Sequence, residues 1–163
     1  MNVRAGSHPR SLRNPRPLPL TPFELPNRRN RSTSIESVLV GMDLIEIDRI
    51  ARALERPRFR ERVYTEAERA YCDSKANPAQ SYAARFTGKE AVGKALGCGV
   101  DFSWREIEIV GRPKPSVTLY GRTLAFAEKR GLTVADLSMT HSKGVAGAVA
   151  LVDGPPEQDP AIQ

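Results

Sequence analysis

Residues 79–96 are the longest stretch of the chain compatible with a single helix, with Pro78 before them, Gly97 after them and apolar or small residues recurring at helical spacing between. A helix of that length needs partner surfaces for Tyr82, Phe86 and Ala95, so it is expected to pack lengthwise in a core. It also carries Glu90 and Lys94 one turn apart, beside the apolar stripe. Residues four apart share a helix face, so a hard oxygen ligand and a cationic donor point into one small volume, as the handling of a metal-bound phosphate requires. The same spacing is also the commonest ornament of a solvated helix, and alone it does not decide between the two.

The other elements can be placed around this helix. Residues 37–45 read as a strand and 46–55 as a helix stopped by Pro57. Thr65-Glu-Ala-Glu68 is a capping box opening a helix that ends before Pro78. Residues 107–110, 116–120, 133–140 and 145–152 read as strands, with a helix over 122–129. The pattern is α+β with an antiparallel sheet and a long packed helix.

Asp43 interrupts the apolar run that begins at Val38. Burying its carboxylate requires compensation by a bound divalent cation, by a capping role in the following turn, or by Arg49. His141 and Lys143 sit at the turn between the last two strands, where side chains reach a ligand. Ser138 and Ser142 beside His141 form no nucleophile arrangement, so no Ser-His-Asp chemistry is expected.

Three separated motifs, in order, resemble those of the holo-acyl-carrier-protein synthase family of 4'-phosphopantetheinyl transferases. The opening Gly-hydrophobic-Asp stands at Gly41-Met42-Asp43, followed by a charged stretch to Arg49-Ile50. The central Arg-Phe-x-x-Lys-Glu-Ala-x-x-Lys-Ala stands complete over residues 85–95. The closing Ser-hydrophobic-Thr-His stands at Ser138-Met139-Thr140-His141, before an alanine-rich strand. Tyr64-Thr-Glu-Ala-Glu68 and Gly111-Arg-Pro-Lys-Pro115 also match, so the resemblance runs from about Val38 to Val152. One departure is Val145, where the family usually carries an aromatic residue four positions after the His.

The resemblance implies a 4'-phosphopantetheinyl transferase fold, trimeric, with active sites between subunits. It implies transfer of 4'-phosphopantetheine from coenzyme A to a serine of apo acyl carrier protein in fatty-acid biosynthesis, releasing adenosine 3',5'-bisphosphate. Asp43 and Glu90 are then the Mg²⁺ ligands, with Mn²⁺ an alternative metal, since a hard cation takes one or two carboxylates plus waters and substrate phosphate oxygens. Glu90 is also implied to take the serine proton, directly or through a water, and Lys94 to stabilise or protonate the departing phosphate. Arg85, Lys89, Lys94 and His141 are implied to contact coenzyme A, His141 from the neighbouring subunit. Lys89 has a solvated lysine as its alternative. Residues 49–62 hold six arginines, with Leu54 and Phe59 among them. In the resemblance, Arg49, Arg52, Arg56, Arg58 and Phe59 dock the acidic carrier protein, charge steering the encounter and the apolar residue anchoring it. A solvated face, with Phe59 in the core, is the alternative.

Charge belongs to one end of the chain. Residues 1–34 contain seven Arg against one acid, so their net charge of +6 equals that of all 163 residues and leaves the rest near neutral. With six Pro and no hydrophobic periodicity, they are expected to be a disordered extension preceding a transferase domain at 35–153, with 154–163 a loose tail. An initiation codon assigned too early is the favoured explanation of the extension. It lacks the apolar segment and cleavage site of a secretory signal, while its Arg and Ser leave an organellar transit peptide open. The arginines also raise a nucleic-acid-binding alternative, but no RNP-like, zinc-finger or helix-turn-helix signature supports one. Broad-specificity phosphopantetheinyl transferases, about twice this length by internal duplication, fit the chain less well. Cys72 and Cys98 have no metal-ligand spacing and define no disulfide framework, which fits a cytoplasmic protein. No apolar run approaches the roughly 20 residues needed to span a bilayer, and no membrane partner is expected.

Overall fold

Asn77 and Pro78 begin the long helix, α4 (Pro78–Leu96), with the Asn77 side chain accepting from the Gln80 amide at 3.3 Å. Gly97 ends it in the left-handed conformation at φ 76°, which a glycine adopts without strain. This computed structural model describes residues 37–98, 102–111 and 114–155. The extension at 1–34 therefore lies outside the described residues, as does the tail from 156 onward. The first two tail residues do not hang loose. Gly154 closes the last strand, and the Pro155 carbonyl accepts the Ser37 hydroxyl at 2.6 Å.

Ahead of α4 come β1 (Ser37–Glu46), α1 (Ile47–Leu54), α2 (Pro57–Val63) and α3 (Glu66–Asp73). Pro57 does more than stop α1. It occupies the first turn of α2, where its fixed φ suits a helix start and no amide is lost. The short helix α2 lies in a segment read from sequence only as a charged surface. The expected capping box opens α3, with Thr65 Oγ1 and the Glu68 carboxylate each bonded to the other's amide. After α4 come a 3₁₀ turn (Trp104–Glu106), β2 (Ile107–Val110), β3 (Ser116–Leu119), α5 (Gly121–Lys129), β4 (Thr133–Ser142) and β5 (Val145–Gly154).

The strands divide into two antiparallel sheets, a three-stranded sheet ordered β1-β5-β4 and a separate ribbon β2-β3. Alternation along the larger sheet sets its two faces apart. Gly41 and Ile45 of β1, Ala146, Ala148, Ala150 and Val152 of β5, and Leu137 of β4 are buried. The small residues of β5 let α4 lie close across the sheet, and α4 is itself buried on nearly every side. Tyr82 and Ala95 enter the core as expected, while Phe86 packs at its edge. On the opposite face Val38, Val40, Met42 and Leu44 are 56 to 62% exposed, with Val145 and Val149 beside them. A row of aliphatic side chains this open is unusual for a sheet face in isolation.

Candidate active site

Asp43 projects from β1 on the α4 side, and α4 answers with Lys94. The Lys94 ammonium donates to Asp43 Oδ1 at 2.8 Å and to the Met42 carbonyl at 3.0 Å. The cation that compensates Asp43 in the folded chain is thus Lys94, and neither Arg49 nor a capping role is needed. The Asp43 side chain is only 14% exposed and that of Lys94 is 42% exposed, so the carboxylate is largely covered while the ammonium is open to solvent.

Glu90 lies one turn before Lys94 on the same helix face and is half-buried. Its carboxyl is held above the usual carboxylate range, first by burial and then by the negative charge of Asp43, against opposing pulls from Lys94 and Arg49. Two carboxylates therefore share one ammonium, which relieves their repulsion only in part. Such a place is stabilised by gaining a cation or a proton. Among the described residues no further His, Cys, Asp or Glu completes a three-membered cluster there. An oxygen-only set of two carboxylates fits Mg²⁺, which keeps waters and takes its remaining ligands from phosphate.

The structure places two members of the expected coenzyme A set inside the protein. Lys89 does not point toward Asp43. Its side chain has no solvent exposure, and its ammonium is bound to Glu68 at 2.8 Å, to the Trp104 carbonyl at 2.8 Å and to the Ile107 carbonyl. All three of its donors are engaged inside the protein. Burial pulls the Lys89 pKa down, and the Glu68 charge opposes that pull. Arg85 is 4% exposed, with its guanidinium over the Tyr71 ring at 3.9 Å, so it too faces inward. Lys94 remains beside Asp43. His141 stands on β4 and is exposed, in register with Ala146 of β5, which pairs with Ile45 of β1. Two strand spacings, on the order of 10 Å, separate its row position from β1. Within one chain His141 is not brought to Asp43 and Glu90.

Of the expected docking residues, Arg49 and Arg52 on α1, Arg56 at the α2 cap and Arg58 on α2 are exposed. Phe59 is not a free anchor. It is half-buried between the rings of Tyr64 (6.1 Å) and Phe86 (6.4 Å), where it closes the second hydrophobic cluster. Arg60 is likewise engaged, by Asp73 at 2.6 Å and the Tyr82 hydroxyl at 2.7 Å. The important residue that sequence reading passed over is Glu68. Its capping-box position was legible, but its second use, as the buried partner of Lys89, depends on where α4 and β2 land.

Comparison with known proteins finds relatives along most of the described chain. The sequence profile of the 4'-phosphopantetheinyl transferase superfamily matches residues 39–149. The holo-[acyl-carrier-protein] synthase of Caldanaerobacter subterraneus subsp. tengcongensis is 41% identical over 121 residues, covering 72% of this chain and 95% of the relative. That of Moorella thermoacetica is 45% identical over 119 residues, covering 69% and 91%. Among solved structures, the ACPS–CoA complex of Chronobacterium ammoniagenes superposes with a TM-score of 0.64 at 27% identity, covering 73% of this chain and 98% of that one. Helicobacter pylori holo-[acyl-carrier-protein] synthase in complex with coenzyme A does so with a TM-score of 0.62 at 30% identity, covering 70% and 99%.

Proposed function

Because the chain belongs to the 4'-phosphopantetheinyl transferase superfamily, we propose that it transfers 4'-phosphopantetheine from coenzyme A to a serine of apo acyl carrier protein. The observation that carries this reading is the pairing of Asp43 on β1 with Lys94 on α4, with Glu90 one turn before Lys94 and within the field of the Asp43 charge. The serine oxygen attacks the phosphorus that bears the pantetheine arm. The bond to the bridging pyrophosphate oxygen breaks, and adenosine 3',5'-bisphosphate leaves with the electron pair. Asp43 and Glu90 would hold Mg²⁺, or Mn²⁺, which when bound supplies neutralisation of pyrophosphate charge. Glu90, made more basic by burial and by the Asp43 charge, is suited to accept the serine proton. Lys94 donates toward the leaving phosphate, and its tether to the Met42 carbonyl fixes the ammonium while its substrate is absent.

The assembly in this reading is a homotrimer with active sites between subunits. The open aliphatic face of β1 and β5 supplies a surface to cover, and the distance of His141 from Asp43 within one chain suits delivery of that imidazole to a neighbour's coenzyme A. Arg49, Arg52, Arg56 and Arg58 form the face that meets the acidic carrier protein. The reaction belongs to fatty-acid biosynthesis in the cytoplasm. Among the described residues, no helix is long and apolar enough to cross a membrane.

Intact-mass spectrometry of apo acyl carrier protein with this protein, coenzyme A and Mg²⁺ tests the reaction. A gain of about 340 Da, abolished by EDTA, is the mass expected for one phosphopantetheine joined by metal-dependent phosphoryl transfer. Asp43→Ala and Glu90→Ala are each expected to abolish the gain with circular dichroism unchanged. Near-normal turnover in both variants would refute the site. Leu44→Asp, which places a charge on the open sheet face, is expected to turn a sedimenting trimer into monomer, and a wild-type monomer would refute the assembly.

A further inference from the structure

Gly41 lies two residues before Asp43, on the face of β1 that meets α4. A Cβ at this position would fall 2.0 Å from the Ala91 carbonyl oxygen and 2.5 Å from the Ala95 amide nitrogen. Both are backbone atoms of α4, which no change of rotamer moves aside. Ala91 follows Glu90, and Ala95 follows Lys94. This close approach of strand to helix therefore falls beside Glu90 and Lys94. Gly41 is not among the glycines with positive φ, so the fold uses its missing side chain and not its backbone freedom. Other crowded glycines differ. At Gly147 the first atom met is Leu44 Cδ2 at 2.5 Å, and at Gly88 it is Ile109 Cδ1 at 2.6 Å, both ends of side chains that can swing away.

On the premise that Asp43 and Glu90 hold the metal, we propose that Gly41 is a positioning residue whose missing side chain sets the β1–α4 gap to suit a small octahedral cation. A methyl group at residue 41 would have to push the strand from the helix by on the order of 1 Å to reach ordinary contact distance. Asp43 travels with the strand while Glu90 stays with the helix. Mg²⁺ requires oxygen ligands at about 2.0–2.1 Å in near-ideal octahedral order, whereas Ca²⁺ accepts about 2.3–2.6 Å in flexible arrangements. Widening the gap therefore weakens Mg²⁺ more than Ca²⁺. A merely structural role for Gly41 would weaken both alike.

The test is calorimetric titration of MgCl₂ and CaCl₂ into the full chain with coenzyme A, corrected for cation binding to coenzyme A alone. Gly41→Ala is expected to raise the Mg²⁺ dissociation constant about tenfold or more, the size usual for loss of a group supporting a metal ligand, and the Ca²⁺ constant by much less. Gly154→Ala, the same change at the far end of the neighbouring strand, where the first atom met is Leu132 Cδ2 at 2.7 Å, is expected to alter neither. Equal losses for the two ions in Gly41→Ala, or none, would overturn the proposal. If Gly41→Ala is recovered only unfolded, Asp43→Glu decides at the native gap. The longer arm should weaken Mg²⁺ by a similar factor without lowering the melting temperature, and wild-type Mg²⁺ affinity would overturn the proposal. The premise is read separately from Asp43→Ala. Undiminished Mg²⁺ binding there removes the metal site itself, whatever Gly41 does.

Discussion

Replacing Lys89 with methionine separates two accounts of the central motif, because the sequence sets this lysine beside phosphate while the fold sets it in the core. Met matches the volume of the lysine stem but leaves Glu68 charged and buried with both side chains of the former pair at zero exposure. Breaking one side of a buried ion pair costs about 3–5 kcal/mol. For a domain of this size that lowers the melting temperature by on the order of 10–20 °C. The usual remedy, replacing both partners by apolar residues, should fail here. Glu68 also accepts the Thr65 amide at 2.8 Å and the Ile109 amide at 2.9 Å, and Lys89 also satisfies the Trp104 and Ile107 carbonyls. A Glu68→Leu/Lys89→Met double variant orphans these four backbone groups at about 1–3 kcal/mol each, which outweighs the roughly 1–4 kcal/mol gained by removing a buried charge pair. The double variant is expected to be no more stable than either single variant in urea unfolding followed by circular dichroism. Recovery of wild-type stability in the double variant would refute the backbone part of this reasoning. A Lys89→Met protein of wild-type stability with a raised KM for coenzyme A would refute all of it and return Lys89 to the phosphates.

Glu90→Gln is expected to raise the melting temperature of the metal-free protein at pH 7. The folded-state pKa of Glu90 is raised above 4.5, so its ionised form opposes folding at neutral pH, and that opposition disappears as pH falls through the folded value. The gain from Glu90→Gln should therefore vanish in acid, and a gain that persisted there would contradict the electrostatic cause. Reversing charge in Arg52→Glu/Arg58→Glu should raise the KM for acyl carrier protein about tenfold at low salt, with the defect shrinking as salt is added and the KM for coenzyme A unchanged. An unaltered carrier KM would remove α1 and α2 from the docking surface. Burial pushes the Cys72 thiol up to about 11, so iodoacetamide at pH 8 should label it only in denaturant, as peptide mapping would show.

The elements legible in the sequence were those with local signals. The α4 limits follow from Pro78 and Gly97, the start of α3 from its capping box, and both long strands near the carboxyl end from their alternation. What was not legible depends on registration between distant segments. No local pattern separates β2-β3 from the larger sheet, because pairing is decided by which strands α4 covers. Helix α2 was missed because Pro57 reads equally as a stop and as a first-turn residue. Phe59 reads as an exposed anchor among arginines until Tyr64 and Phe86 arrive on either side of it.

The central motif shows the same division within eleven residues. Arg85 and Lys89 are four apart, and so are Glu90 and Lys94, but the second pair is displaced from the first by five residues, a rotation of about 140° around the helix axis. Neighbours such as Lys89 and Glu90, about 100° apart around the helix, cannot both face Asp43. One stripe turns inward and ties α4 to α3, the 3₁₀ turn and β2, through Glu68 and the Trp104 and Ile107 carbonyls. The adjacent stripe turns outward and meets Asp43. Helical phase, counted from the buried Tyr82, separates the two lysines: Lys89, seven residues on, falls within about 20° of it and turns inward, while Lys94, twelve residues on, falls about 120° away and meets Asp43. The inward stripe fixes the rotation of α4, and that rotation is what sets Glu90 opposite Asp43.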